Sequence, residues 1–302
     1  MSREKKILPL NKRTDGEPKA IEGSFSKSVS CIMPVAVYYF LSLFLTYGAA
    51  YLIGTGQYGT RTSKFAADHA VGVASAIRIA VVILSVLPLI PGFIGEKPII
   101  FQKGNKINRR SISFGIYVVL LASSLALFLN VLFSKIGLSS SSQSFSETSA
   151  KQMAFPLLLG ILIYGIINPL TEEIVYRGLV YNRLRRFYGF PIAIVAAPLL
   201  FGLSHGNMVQ LIYGFIMGVV ICLVYELFGS FAYTCLFHIA ANTVVYIVMK
   251  YTMLKEAVGS LGGLVFFGAL SVALVAICGL TCAGRGGKIW CIFESGKDKK
   301  DK

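Results

Sequence analysis

The sequence predicts an all-α fold: a polytopic transmembrane helical bundle of about eight spans, with both termini on the cytosolic side. Three observations predict it. The 302 residues are 55% hydrophobic and only 14% charged, with a mean hydropathy of +0.69, whereas soluble domains carry about 25% charged residues. Uninterrupted apolar runs of bilayer length recur along most of the chain. The positive charges cluster in alternate connections between those runs. A soluble globular domain, a coiled coil and a disordered chain are therefore excluded. The ten-residue alternation of a membrane β-barrel is absent.

Residues 1–29 are basic, polar and rich in Ser, Gly and Pro, which predicts a disordered cytosolic arm. The first apolar run, 31–53, is longer than the core of a cleavable signal and reads as a signal anchor. The runs 70–94 and 113–134 complete an N-terminal block of transmembrane helices over 30–137. Pro88, Pro91 and Gly92 predict a kink near the end of the second run. Arg78 lies within that run, where snorkelling is the default expectation. A serine-rich segment, 138–153, predicts a flexible outer loop. The run 154–172 should continue as a basic extension through Arg183, Arg185 and Arg186, then reverse at Gly189-Phe190-Pro191. The runs 190–206, 208–228 and 231–249 follow, and 154–249 holds nearly all the candidate chemistry. Gly214 and Gly218 form a GxxxG step that favours close helix packing. A final helix lies within 250–283, and 284–302 is a basic cytosolic tail.

Of the 29 Lys and Arg residues, 22 fall in the arm, the 95–112 loop, the 173–189 connection and the tail, against six on the opposite side. That asymmetry is the positive-inside signature, and it makes the lipid bilayer, not nucleic acid, the partner of the +15 net charge. The six cysteines lie in or beside apolar runs without metal-knuckle spacing, so they read as packing residues. Cys278 and Cys282, four apart on one helix, would be neighbouring thiols. No internal repeat stands out, which counts against a transporter built from inverted repeats. No feature of the sequence fixes an oligomeric state.

Ionisable groups at membrane depth are costly and mark candidate sites. Glu172 and Glu173 end an apolar run, with Arg177 four residues after Glu173 on the same helical face. A solvated cluster at a helix end is the bland alternative. Two of the three histidines, His205 and His238, also fall within or beside apolar runs, and His238 aligns with Asn242. Glu173 and His205 are each 16 residues from Gly189. Antiparallel helices would bring them level, ~24 Å from the turn at 1.5 Å per residue.

Glu172-Glu173-Ile-Val-Tyr-Arg177, Phe201-Gly-Leu-Ser-His205 and His238-Ile-Ala-Ala-Asn242 resemble the EExxxR, FxxxH and HxxxN signatures of the CAAX-protease and bacteriocin-processing (CPBP, Abi-type) family. These intramembrane proteases include the type II CAAX prenyl endopeptidases. The resemblance covers roughly 154–249. It implies that Glu172 is the general base for a water, assisted by His205, while His238 and Asn242 stabilise the oxyanion. Glu173, held by Arg177, would support the site. In the metalloprotease version of the same resemblance, His205, His238 and Glu172 hold a divalent metal, zinc. Substrates would be a prenylated protein, a bacteriocin or pheromone precursor, or another membrane protein, in a bacterial plasma membrane.

Other readings compete. A non-proteolytic member of the family would bind a peptide or partner as an immunity or scaffold protein. Gly202-Leu-Ser204-His-Gly206 matches the nucleophile-elbow pattern G-x-S-x-G, so a serine protease using Ser204 and His238 is chemically conceivable. That scheme leaves the Glu pair, Arg177 and Asn242 without roles. An ion or proton-coupled transporter would use the same Glu and His residues as a relay. No HExxH zincin motif is present.

Overall fold

A computed structural model describes residues 24–54, 60–96 and 109–283. The basic arm before residue 24, most of the 95–112 loop and the tail from 284 lie outside the described residues, as do Cys291 and the side chains of Cys278 and Cys282. Every described element is helical: α1 (Ser24–Gly54), α2 (Thr60–Asp68), α3 (Ala70–Val86), α4 (Arg109–Lys135) and α5 (Gln143–Met153) lead to a C-terminal group. That group comprises α6 (Leu157–Tyr188), α7 (Phe190–Leu203), α8 (Met208–Phe228), α9 (Phe231–Lys250), α10 (Thr252–Val258) and α11 (Leu261–Ala283). The chain is an integral, multi-pass membrane protein.

Among the described residues, six helices are long and apolar enough to cross a bilayer, and a seventh span results if the bent pair α10–α11 is counted as one. The expected count of eight differs at two places. The last span is broken by a 68° bend. The expected run 190–206 becomes α7, only 14 residues long, or ~21 Å against a hydrocarbon core of ~30 Å. The serine-rich segment also contains a helix, α5, whose first turn is capped by the Ser142 hydroxyl accepting from the Phe145 amide. At the proline cluster a 3₁₀ turn, Leu87–Leu89, joins α3 to a last helical stretch, Ile90–Gly95.

Helix α6 positions the site and is internally irregular. Its hydrogen bonding widens to π-helical register over Ile161–Ile167 and Ile174–Tyr181, on either side of a regular turn, Asn168–Glu173. Pro169 has no amide proton and cannot serve the carbonyl one turn earlier, at Gly165. Helix α9 fills the gap: the Thr243 hydroxyl donates to the Gly165 carbonyl at 3.5 Å, and the Asn242 amide to the Tyr164 carbonyl at 3.3 Å. π-Helical segments of this kind concentrate at functional sites.

The basic end of α6 is held by two carboxylates. Glu96 pairs with Arg183 (2.9 Å) and with Arg186. Glu226 of α8 accepts from Arg185 (2.8 Å) and from the Tyr181 hydroxyl (2.7 Å). The chain then reverses at Gly189, whose φ of +82° requires glycine, with Pro191 in the first turn of α7 as expected.

Helices α7 and α8 pack closely because both present small residues. A Cβ on Gly202 would sit 2.5 Å from the Leu211 carbonyl oxygen, and one on Gly218 would sit 2.9 Å from Pro198 Cβ. The GxxxG step is therefore an intramolecular packing face. Cys31, Cys222 and Cys235 are buried and free, as packing residues would be.

Candidate active site

The structure brings Glu172, Glu173, Arg177 and His238 together where α6 meets α9. Glu173 is fully buried, and its Oε1 accepts both from Arg177 Nη1 at 2.7 Å and from His238 Nδ1 at 2.8 Å. Arg177, also buried, donates a second bond to the Gly218 carbonyl on α8. The ion pair thus ties three helices to one carboxylate. A buried charge needs this kind of pairing and hydrogen bonding.

Glu172 differs from its neighbour. Its side chain is 20% exposed, and its Oε2 stands 3.6 Å from His238 Nε2. Because His238 Nδ1 faces a carboxylate oxygen, that nitrogen carries a proton, and Nε2 is the nitrogen turned toward Glu172. The order carboxylate, imidazole, carboxylate can hold and pass a proton: Glu173 orients the ring, and Glu172 meets whatever enters the site.

His205 is placed differently from the expectation. It lies beyond the end of α7, in the turn to α8, where Gly206 has a φ of +74°. Its Nδ1 approaches the Phe201 carbonyl at 2.9 Å, which assigns the proton to Nδ1 and, among the described residues, leaves Nε2 unengaged. Phe201 links the His205 turn to the cluster around Glu173. The Phe201 ring packs edge-on against His205 (4.9 Å) and His238 (5.5 Å), and the Arg177 guanidinium lies 4.9 Å from its centroid. The phenylalanine of the FxxxH motif is thus the spacer that sets both imidazoles.

Asn242 sits one turn beyond His238, with one amide proton engaged at the Tyr164 carbonyl. The Ser204 hydroxyl donates to the Phe201 carbonyl at 2.5 Å, a bond typical of a helix C-terminus, which engages the proton of the supposed nucleophile. Among the described residues no three His, Cys, Asp or Glu side chains are grouped to hold a metal ion. His205, His238 and Glu172 therefore do not form a three-ligand set in this arrangement.

Residues that sequence reasoning passed over complete the site. The Tyr39 hydroxyl of α1 donates to the Ser204 carbonyl at 2.5 Å and ties the His205 turn to the first helix. Tyr38 is buried in the same cluster as Val86, Tyr176 and Phe201. Adjacent tyrosines in an otherwise apolar span are a readable signal, because a buried hydroxyl needs a partner.

The fold and site together define an integral membrane protein with a carboxylate–histidine centre among its helices. Residues 154–244 match the model of the family described as "Type II CAAX prenyl endopeptidase Rce1-like", the family that the three motifs resemble. It is a family of CAAX-type intramembrane proteases, and the matched segment contains all three motifs. No curated protein and no solved structure matches the chain.

Proposed function

We propose that this chain is an endopeptidase in which Glu172 activates a water to hydrolyse a peptide bond of a membrane-held substrate. The observation that carries the reading is the Glu173–His238–Glu172 series, with one carboxylate buried and ion-paired and the other partly open. Glu172 accepts a proton as the water oxygen bonds to the scissile carbonyl carbon. His238, protonated and oriented by Glu173 as an imidazole is oriented by the acid of a catalytic triad, donates from Nε2 to the oxyanion. Asn242 keeps a second amide proton for the same oxygen. Glu172 then delivers its proton to the leaving nitrogen as the C–N bond breaks. His205 offers Nε2 to the attacking water.

The charge asymmetry supports a topology with both termini cytosolic; the membrane we propose is a bacterial plasma membrane. The basic end of α6 and the Gly189 turn then face the cytosol, and with that basic end projecting beyond the lipid, Glu172, midway along α6, is reached from the cytosolic leaflet. The substrate is a peptide or membrane protein presented from that leaflet.

The testing experiment is cleavage of candidate membrane peptides by purified protein, with products identified by mass spectrometry. Wild type should cut, and Glu172→Ala should not. Turnover should survive a chelator. Loss on chelation with recovery on added zinc would replace this chemistry with the metal version. Absence of any turnover across prenylated and unprenylated peptides would assign the chain to binding without cleavage.

A further inference from the structure

Asn168 is a polar side chain that the chemistry above leaves unused. It opens the regular turn Asn168–Glu173 between the two π-helical segments of α6, and it is only 8% exposed. Its Oδ1 is buried and, among the described residues, has no hydrogen-bond partner. A buried amide oxygen without a donor is costly, so one that persists marks a place where a donor arrives.

Two other asparagines show how this chain satisfies such a side chain within a helix. Asn130 and Asn182 each donate to the carbonyl four residues earlier, Ala126 at 2.8 Å and Gly178 at 3.0 Å. For Asn168 that carbonyl belongs to Tyr164, and the Asn242 side chain of α9 already donates to it at 3.3 Å. The local bond is thus taken by the asparagine that stands one turn beyond His238.

The place of Asn168 relative to the reaction centre follows from helix register. Asn168 and Glu172 are four residues apart and share a face of α6, in a turn packed by both α3 and α9. The offset between them is ~6 Å along the axis at 1.5 Å per residue. An extended peptide advances ~3.3 Å per residue, so Asn168 stands about two residues of substrate from the bond at Glu172. A peptide entering the bundle in extended form brings main-chain N–H groups that need acceptors at membrane depth. A side-chain amide oxygen is a matching acceptor.

We propose that Asn168 accepts a main-chain N–H of the substrate about two residues from the cleaved bond and so holds the peptide in register with Glu172. This rests on the peptidase reading and deepens it: the site takes an extended main chain, recognised at this point through its backbone rather than through a side chain. Asn168 is a substrate-binding residue and takes no part in the proton transfers.

The test uses a fluorescent peptide from the cleavage panel and versions in which one backbone amide at a time, other than the cleaved one, is replaced by an ester. The ester keeps the shape of the chain and removes a single N–H. In wild type, one ester about two residues from the cleaved bond should lower kcat/KM about tenfold, the size of a buried hydrogen bond lost with its partner left unmet. Asn168→Leu should slow the all-amide peptide by a similar factor and lose the response to that ester. Because it replaces an unpartnered polar group by an apolar one of similar size, Asn168→Leu should also melt at or above the wild-type temperature. Binding of the same peptides to Glu172→Gln in vesicles of neutral lipid, with and without Asn168→Leu, reads the contact without turnover. Cleavage with no ester effect that depends on Asn168, or an Asn168→Leu protein that melts well below wild type, overturns the inference and leaves the peptidase reading intact. An Asn168-dependent ester effect on binding, without cleavage of any peptide, overturns the peptidase reading and leaves the contact standing.

Discussion

Glu172 and Glu173 are adjacent in the chain, yet the helix gives them opposite environments, and their variants should fail in different ways. Glu173→Gln leaves Arg177 and His238 without their charged partner inside the bundle. Breaking a buried pair costs about 3–5 kcal/mol, so this variant should melt well below wild type in a thermal unfolding assay in detergent. Glu172→Gln keeps shape at a partly open position and should melt within about 0.5 kcal/mol of wild type while losing turnover. Equal melting of the two would mean that Glu173 is not the structural carboxylate. Tyr39→Phe removes one hydroxyl, the bond that holds the His205 turn to α1. It should cost ~1 kcal/mol of stability yet lower kcat disproportionately, and a rate change no larger than that of a distant surface variant would show that the tether does not position His205.

At the scale of elements, α7 and α8 form a close joint near the site. Gly202 leaves room for the Leu211 carbonyl, and it precedes His205 by three residues. Gly202→Ala should cost about 1–3 kcal/mol, as overpacking does, and reduce turnover by displacing the His205 turn; thermal unfolding and rate measured together would check both. Much of this element was legible in sequence: the GxxxG step, the reversal at Gly189 and the basic extension of α6 all follow from residue types with local effects. The position of His205 outside α7 was not, because it depends on where the helix stops, and the stop is set by Gly206 and by packing against α8. The π-helical register of α6 was hidden for a similar reason. Pro169 is visible in sequence, but the Thr243 and Asn242 side chains that accommodate it come from α9, about seventy residues away. The Glu–Arg pair was legible because it is an i,i+4 contact, whereas the Glu173–His238 bond joins distant segments.

For the whole molecule, composition was sufficient for the helical membrane class, since apolar runs of bilayer length have few other uses. It was less informative about the number of spans: a 14-residue helix and a bent pair both look like spans when only hydropathy is read. Orientation is tested by cysteine labelling in a background without native cysteines. Ser140→Cys should react with an impermeant reagent from outside, and Ala232→Cys, in the first turn after Gly229-Ser230, should react from inside; the reverse pattern would invert the topology. The central claim is that a carboxylate-activated water, not a serine, opens the peptide bond. The direct measurement is turnover of one cleavable peptide by Glu172→Gln and Ser204→Ala, each purified and shown to be folded. The account predicts that Ser204→Ala cleaves at near wild-type rate and Glu172→Gln does not cleave. An active Glu172→Gln beside an inactive Ser204→Ala would contradict it.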